Sequence, residues 1–425
     1  MHEAKHTLEA ESQLAHMPAQ RVTLRAIFIG ALLIIPNVFW VVTVEGIWHK
    51  GHPTCISLAW GVVFNILILL LLNLLVKRFA PAKALTQAEF ITIYGMLAVS
   101  MMLAAHDSLQ LGMPSLGWYE YFRTPSNHVE DRFGDFVPKW RSVQVTHALK
   151  GYFQGGSSLY ERGNLLPWLA PVFWWTAFIM ALSSVMLGVV AFVRKQWTEN
   201  EKLSYPIIEL PMAMTREGGS KHFFTHRLLW IGIAIGAGID LTNGLHAFLP
   251  WLPYITVRHD QLTIFQSTTW PWSVLGAVPF PLYPFLIALS FFLPKDLSFS
   301  IWFFFLFKRV MLVSLAAFGT AGNPGNPYLN EQSFGAWFAL FLVPFWIGRH
   351  YFAHTFRKAL SGRIEPDDEN EPITYRTALL MITGGFAFIV GFCLKAGMDL
   401  WAILIYFVAF FAIIIAITRV RAEAG

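Results

Sequence analysis

Pro284-Phe-Leu-Ile-Ala-Leu-Ser-Phe-Phe-Leu293 gives way to Pro294-Lys-Asp296, and apolar Leu297 to Phe307 then meets Lys308 and Arg309. Met311 to Phe318 leads into Gly319-Thr-Ala-Gly-Asn-Pro-Gly-Asn-Pro-Tyr328, with Asn330, Glu331 and Gln332 behind it, before an apolar helix resumes at Gly335. Hydrocarbon tolerates non-helical backbone only where protein or a water-filled cavity satisfies its amides. The broken region 283–335 therefore predicts a polar site inside a helical bundle in lipid.

Composition fixes that solvent. Hydrophobic residues make up 55% of the 425 and charged residues only 13%, and the mean hydropathy is +0.51. A soluble chain of this kind would expose large apolar patches. The 38 Phe and 17 Trp suit lipid-facing surfaces and interfacial belts. The net charge of +5 is spent on topology, so no nucleic-acid partner is expected. Two cysteines, Cys55 and Cys393, exclude a disulfide-rich scaffold and a Cys-only metal centre. The tail 1–25 is polar and lacks an apolar h-region, so the first apolar helix directs insertion.

Crossing the hydrocarbon layer takes about 20 apolar residues. Within 26–105 three spans are predicted, Ala26–Val44, Ser57–Val76 and one opening on Thr86-Gln-Ala-Glu89, a capping-box spacing that makes Glu89 a cap. Pro36-Asn37 and Asn65 inside these spans read as a kink or as interhelical hydrogen-bonding groups, with a ligand contact as the alternative. Residues 106–164 form an extracytoplasmic loop too aromatic for a disordered linker, either a lid or partner surface or a segment folded back on the bundle. In 165–425 seven more spans are expected, at Leu165–Val193, Leu228–Leu249, Trp270–Leu293, Leu297–Phe318, Gly335–Ile347, Ala378–Phe392 and Leu400–Ile417. Gly232, Gly236 and Gly238 offer a close-packing face.

The expected fold is all-α, a polytopic integral membrane helical bundle of about ten spans with broken or re-entrant helices. On the side of the termini lie 20 basic residues, against Lys50, Arg258 and Lys395 in the short loops opposite. The positive-inside rule thus predicts both termini in the cytoplasm, in an inner or plasma membrane. Ten spans put Lys308 and Arg309 near mid-bilayer, at about 2.5–3.5 kcal/mol each. The alternative is one broken crossing from Pro284 to Phe307, with Met311–Phe318 and Gly335–Ile347 as arms of a re-entrant hairpin.

Asp240, Asn243 and His246 recur every third residue and share one broad helical stripe. A carboxylate there either carries a proton or coordinates a cation, or forms a buried pair with Lys308 or Arg309. Asp296, Lys308, Arg309, Asn323, Asn326 and Glu331 complete the candidate substrate- or ion-binding set from the broken region. His49, His52 and Cys55, and His350 with His354, are interfacial histidine patterns, and no metal or cofactor is expected. Motifs for a zinc protease, an ATP-driven pump or a serine hydrolase do not occur, so no enzyme is expected.

Arg194 to Pro211, with Leu203-Ser-Tyr-Pro206 after a basic and then an acidic run, resembles a cytoplasmic connection of the oligopeptide transporter superfamily; Pro294 to Trp302 is loosely similar to another of its helices. Ile207-Ile208 departs from the small residues favoured there. Glu201-x-Leu-Ser-Tyr-Pro206, the run Pro294 to Phe304 and Arg419-x-Arg-Ala-Glu-Ala-Gly425 resemble an uncharacterised family of bacterial polytopic membrane proteins across most of the chain. Related chains of the transporter type continue into further helices past the position of Gly425. The resemblance implies secondary active, cation-coupled transport of a small organic or peptide-like solute. A second expectation is a non-transporting subunit that meets a homo-oligomer or complex partner through 106–164.

Overall fold

The structure, a computed structural model, describes residues 22–49, 51–56, 58–104, 107–262, 267–276, 278–320, 327–362 and 371–425. Numbering helices of seven residues or more, these are α1 (Leu24–Val42), α2 (Trp60–Phe79), α3 (Gln87–Leu103), α4 (Thr146–Gln154), α5 (Arg162–Lys195), α6 (Pro206–Thr215), α7 (Arg227–His246), α8 (Pro284–Ser290), α9 (Lys295–Ala317), α10 (Leu329–Ile347), α11 (Arg349–Ser361), α12 (Tyr375–Lys395) and α13 (Leu400–Ala424). One antiparallel pair joins β1 (Arg258–Leu262) to β2 (Val278–Pro281). Among the described residues eight helices are long and apolar enough to cross a membrane: α1, α2, α3, α5, α7, α9, α12 and α13, several extended by flanking turns.

The contacts divide the chain into two compact units. The first holds residues up to Gln110, Tyr205–Val313 and Ala424–Gly425. Its core lies among α1, α2 and α3, where Val41, Val62, Ile66, Leu70, Phe90, Ile93 and Leu97 are buried together. Gly30 lets α1 approach α3, since a Cβ there would lie 2.6 Å from the sulfur of Met96. Asn37, 1% exposed, donates to the Leu97 carbonyl at 3.2 Å and to Ser100 Oγ at 3.3 Å, and accepts from Asn65 at 2.9 Å. The interhelical reading of Asn37 and Asn65 therefore holds. The capping box holds too: Glu89 N–H donates to Thr86 Oγ1 at 3.4 Å and Thr86 N–H to Glu89 Oε2 at 2.9 Å. Glu89 also takes both Arg25 Nε and Nη2, and Thr23 Oγ1, which fastens the start of α1 to the start of α3.

The second unit holds Leu111–Ser204 and Ser314–Glu423. Its long α5 packs antiparallel against α12 through two glycines. A Cβ on Gly188 would lie 2.7 Å from the Ala378 carbonyl, and one on Gly385 2.7 Å from the Ala181 carbonyl. The segment from Leu111 to Ser158 folds into short helices and turns that rest on α5. Leu116, Val143, Ala148, Leu149 and Trp168 form a buried cluster there, with Tyr121, Phe153 and Trp175 against it.

Three expectations need correction. Trp270–Leu293 is no helical span: in its described part a turn at Trp272–Leu275 is followed by β2 and the seven residues of α8. Pro271, Pro279, Pro281 and Pro284 remove amide donors along it, which forbids a continuous ladder. The arm expected at Met311–Phe318 is not a separate helix either, because α9 runs unbroken from Lys295 to Ala317 through Lys308 and Arg309. Before it, α8 ends at Ser290 and α9 begins at Lys295. Finally, Gly232, Gly236 and Gly238 have no atom within 4 Å of the position a Cβ would take, so that face packs against none of the described residues.

Candidate functional site

The stripe on α7 is used structurally at two of its three positions. Asn243 Nδ2 donates to the Ile255 carbonyl at 2.9 Å and its Oδ1 accepts from Ile255 N–H at 2.7 Å. His246 Nδ1 lies 2.6 Å from the Leu252 carbonyl, which makes it the protonated nitrogen. Together they tie the turn after α7 back to the helix end. Asp240 is exposed on α7, and among the described residues no ion pair joins it to Lys308 or Arg309.

Arg309, midway along α9, donates instead to the Leu275 carbonyl at 2.6 Å and lies 5.2 Å from the Phe305 ring centre. A backbone carbonyl thus serves the mid-helix guanidinium where an acid was expected. Lys308 is exposed beside it, Asp296 stands exposed in the first turn of α9, and Glu331 stands exposed in the first turn of α10. Asn323 and Asn326 lie outside the described residues. Within the first unit, Asn243, His246 and Arg309 are thus each held by a backbone carbonyl.

A different carboxylate has the geometry of a site. Beyond Val42 the α1 ladder widens into a π-helical turn over Thr43–Ile47, which carries Glu45, 1% exposed. Glu45 Oε1 accepts from Thr54 N–H at 2.8 Å and from Thr54 Oγ1 at 2.7 Å, with Thr54 in the turn Pro53–Cys55. A second π-helical segment, Asp107–Gly112, lies alongside: a Cβ on Gly46 would stand 3.0 Å from Gln110 Nε2. Single π turns insert a residue at a cost in helix stability and concentrate at functional positions. A carboxylate withdrawn from water at the end of a membrane-length helix is costly, and such residues mark ion and proton paths. The predicted first span, Ala26–Val44, stops one residue short of Glu45. Its isolation as the lone acid directly after an apolar run was the available signal.

His49 Nδ1 lies 3.1 Å from the Glu45 carbonyl, which occupies that histidine with the backbone. Among the described residues no three His, Cys, Asp or Glu side chains converge as a metal site would need, and Cys55 and Cys393 are both free thiols.

In the second unit the charged ends of the helices are clamped. Arg194 Nε and Nη2 each meet Glu371 at 2.8 Å, Arg419 pairs with Glu201, and Ser204 Oγ donates to the Glu423 carbonyl at 2.8 Å. The runs Glu201–Pro206 and Arg419–Gly425, which carry the sequence resemblance, are thus fastened to each other.

Helices of this length and apolarity define an integral membrane protein. The chain belongs to the Family of unknown function (DUF6785), which matches residues 16–425. No curated protein and no solved structure matches it.

Proposed function

We propose that this protein is a cation-coupled secondary transporter of a small organic or peptide-like solute, with Glu45 as the carboxylate that binds and releases the coupling cation. The observation that carries this reading is the burial of Glu45 at the π-turned end of α1, beside the second π-helical segment that holds Gln110. Protonation or cation binding neutralises a buried carboxylate and removes its desolvation cost, so occupancy is linked to the conformation of the turn around it. In this reading eight helices cross a bacterial inner membrane, so both termini lie on one side, and the excess of basic residues on that side makes it the cytoplasm. The clamps at Arg194 and Arg419 then fall on the cytoplasmic side, and the folded segment 107–161 outside.

In proteoliposomes, a solute panel is expected to show ion-gradient-driven uptake that Glu45→Gln abolishes while Asp240→Asn retains it. Wild-type coupled uptake in Glu45→Gln would remove Glu45 from the role. A second reading, a subunit of a larger membrane assembly, is favoured by one observation: α7 and α10 bury no residue among those described, and α9 only Ala316. Stoichiometric co-purification of another membrane protein, with no uptake across the panel, would select it.

A further inference from the structure

In the second unit, at the end of α12 that bears Lys395, donors and positive charges gather without an acceptor. The turn Lys139–Arg141 lays Trp140 and Arg141 over the tandem Trp174-Trp175 of α5 and over Phe392 of α12. The indole nitrogens of Trp140 and Trp175 and the Nε of Arg141 are all buried and hydrogen-bond to nothing. The Arg141 guanidinium lies 5.6 Å from the Trp175 ring centre, and Lys395 Nζ sits 4.7 and 4.8 Å from those of Trp140 and Trp174. Among the described residues no carboxylate pairs with either cation, and burial pulls Arg141 below the usual guanidinium range.

Each of these groups asks for the same thing. A buried N–H without an acceptor is a cost that native structures rarely leave standing. Ring faces attract a cation, but they accept nothing from an indole N–H that points elsewhere and do not cancel charge. Water would meet the donors and leave the half-buried Arg141 charge unmatched, with exposed Lys395 adding to the positive field. A ligand bearing several acceptor oxygens and a negative charge meets every demand, and the planar guanidinium is the group best shaped for it. Phe178 and Phe392 line the cluster with apolar surface, which lowers the local dielectric and strengthens such bonds.

We propose that Arg141, the indole N–H groups of Trp140 and Trp175, and Lys395 form a binding site for an oxyanion, carried either by a free solute or by an anionic lipid headgroup. The site rests on second-unit residues alone and stands or falls independently of Glu45.

The test uses the full-length protein in nanodiscs of zwitterionic lipid, read by tryptophan fluorescence and by the thermal unfolding midpoint. One arm titrates inorganic phosphate and succinate; the other incorporates phosphatidylglycerol. A saturable fluorescence change with a raised midpoint is expected in at least one arm. Response to the soluble anions assigns a free ligand, and response to phosphatidylglycerol alone assigns a headgroup. Arg141→Gln is expected to weaken binding about tenfold or more, and Trp175→Phe, which keeps a ring and removes the N–H, several-fold. Arg132→Gln, on the exposed surface of the same segment, is expected to match wild type. If Arg141→Gln does not fold, Trp175→Phe decides. No saturable response in either arm, or wild-type affinity in the folded site variants, overturns the proposal.

Discussion

At Asn37 a single buried amide joins three helices, and its value depends on all of its bonds being made at once. Asn37→Leu removes the contacts to Leu97 and Ser100 and leaves the Asn65 amide without its acceptor. Interhelical hydrogen bonds in lipid average about 0.6 kcal/mol, so a loss of about 1–2 kcal/mol is expected in denaturant titration of the detergent-solubilised protein. Glu130, outside the spans, gives a pH signature. Tyr119 and then Arg123 hydrogen-bond its carboxylate and hold it below the usual carboxylate range. A depressed folded value means stabilisation present above the unfolded value of about 4.3 and lost as pH falls through the folded one. Amide protection factors across Trp118–Phe133, taken against intrinsic exchange at each pH, are therefore expected to fall in acid, and Glu130→Gln to show the lower protection already at neutral pH. At this scale the capping box was legible because Thr86 and Glu89 are three residues apart. The setting of Glu45 was not, because Thr54 reaches it, and Gln110 reaches the neighbouring Gly46, only through the fold.

Among elements, the contact of α5 with α12 depends on where hydrogen replaces a side chain. Gly384 and Gly385 are neighbours with opposite surroundings: nothing lies within 4 Å of a Cβ on the first, while a Cβ on the second meets the Ala181 carbonyl. Backbone cannot yield as a flexible side chain does, so Gly385→Ala is expected to cost about 1–3 kcal/mol and Gly384→Ala less than about 0.5 in the same titration. Equal effects would show that the two helices do not meet through this glycine. The membrane-length helices were legible because length and apolarity are local properties. Trp270–Leu293 was misread on the same criterion: an apolar run satisfies a hydropathy count whether it is helix or strand, and its four prolines carried the distinction. The glycine face of α7 was read from spacing alone, and spacing says nothing about whether a partner is present.

For the whole molecule, orientation can be read from the native thiols. Cys55 is exposed in the connection between α1 and α2, and Cys393 is buried near the end of α12. With cytoplasmic termini, a membrane-impermeant maleimide is expected to label Cys55 from outside in right-side-out vesicles and to leave Cys393 unmodified. Labelling of Cys55 only after the vesicles are opened would invert the orientation. The class of molecule was legible from composition, because no other solvent accommodates 55% hydrophobic residues with so few charges. The partners of the predicted site residues were not, because the polar groups of an interrupted span do not name them: Asn243, His246 and Arg309 bind carbonyls of their own chain.

Coupling through Glu45 is tested most directly by separating accumulation from exchange. Glu45→Gln keeps the shape of the turn and removes its charge, so the account predicts solute counterflow at the wild-type level with no accumulation driven by an ion gradient. Gradient-driven accumulation equal to wild type in that variant would contradict it.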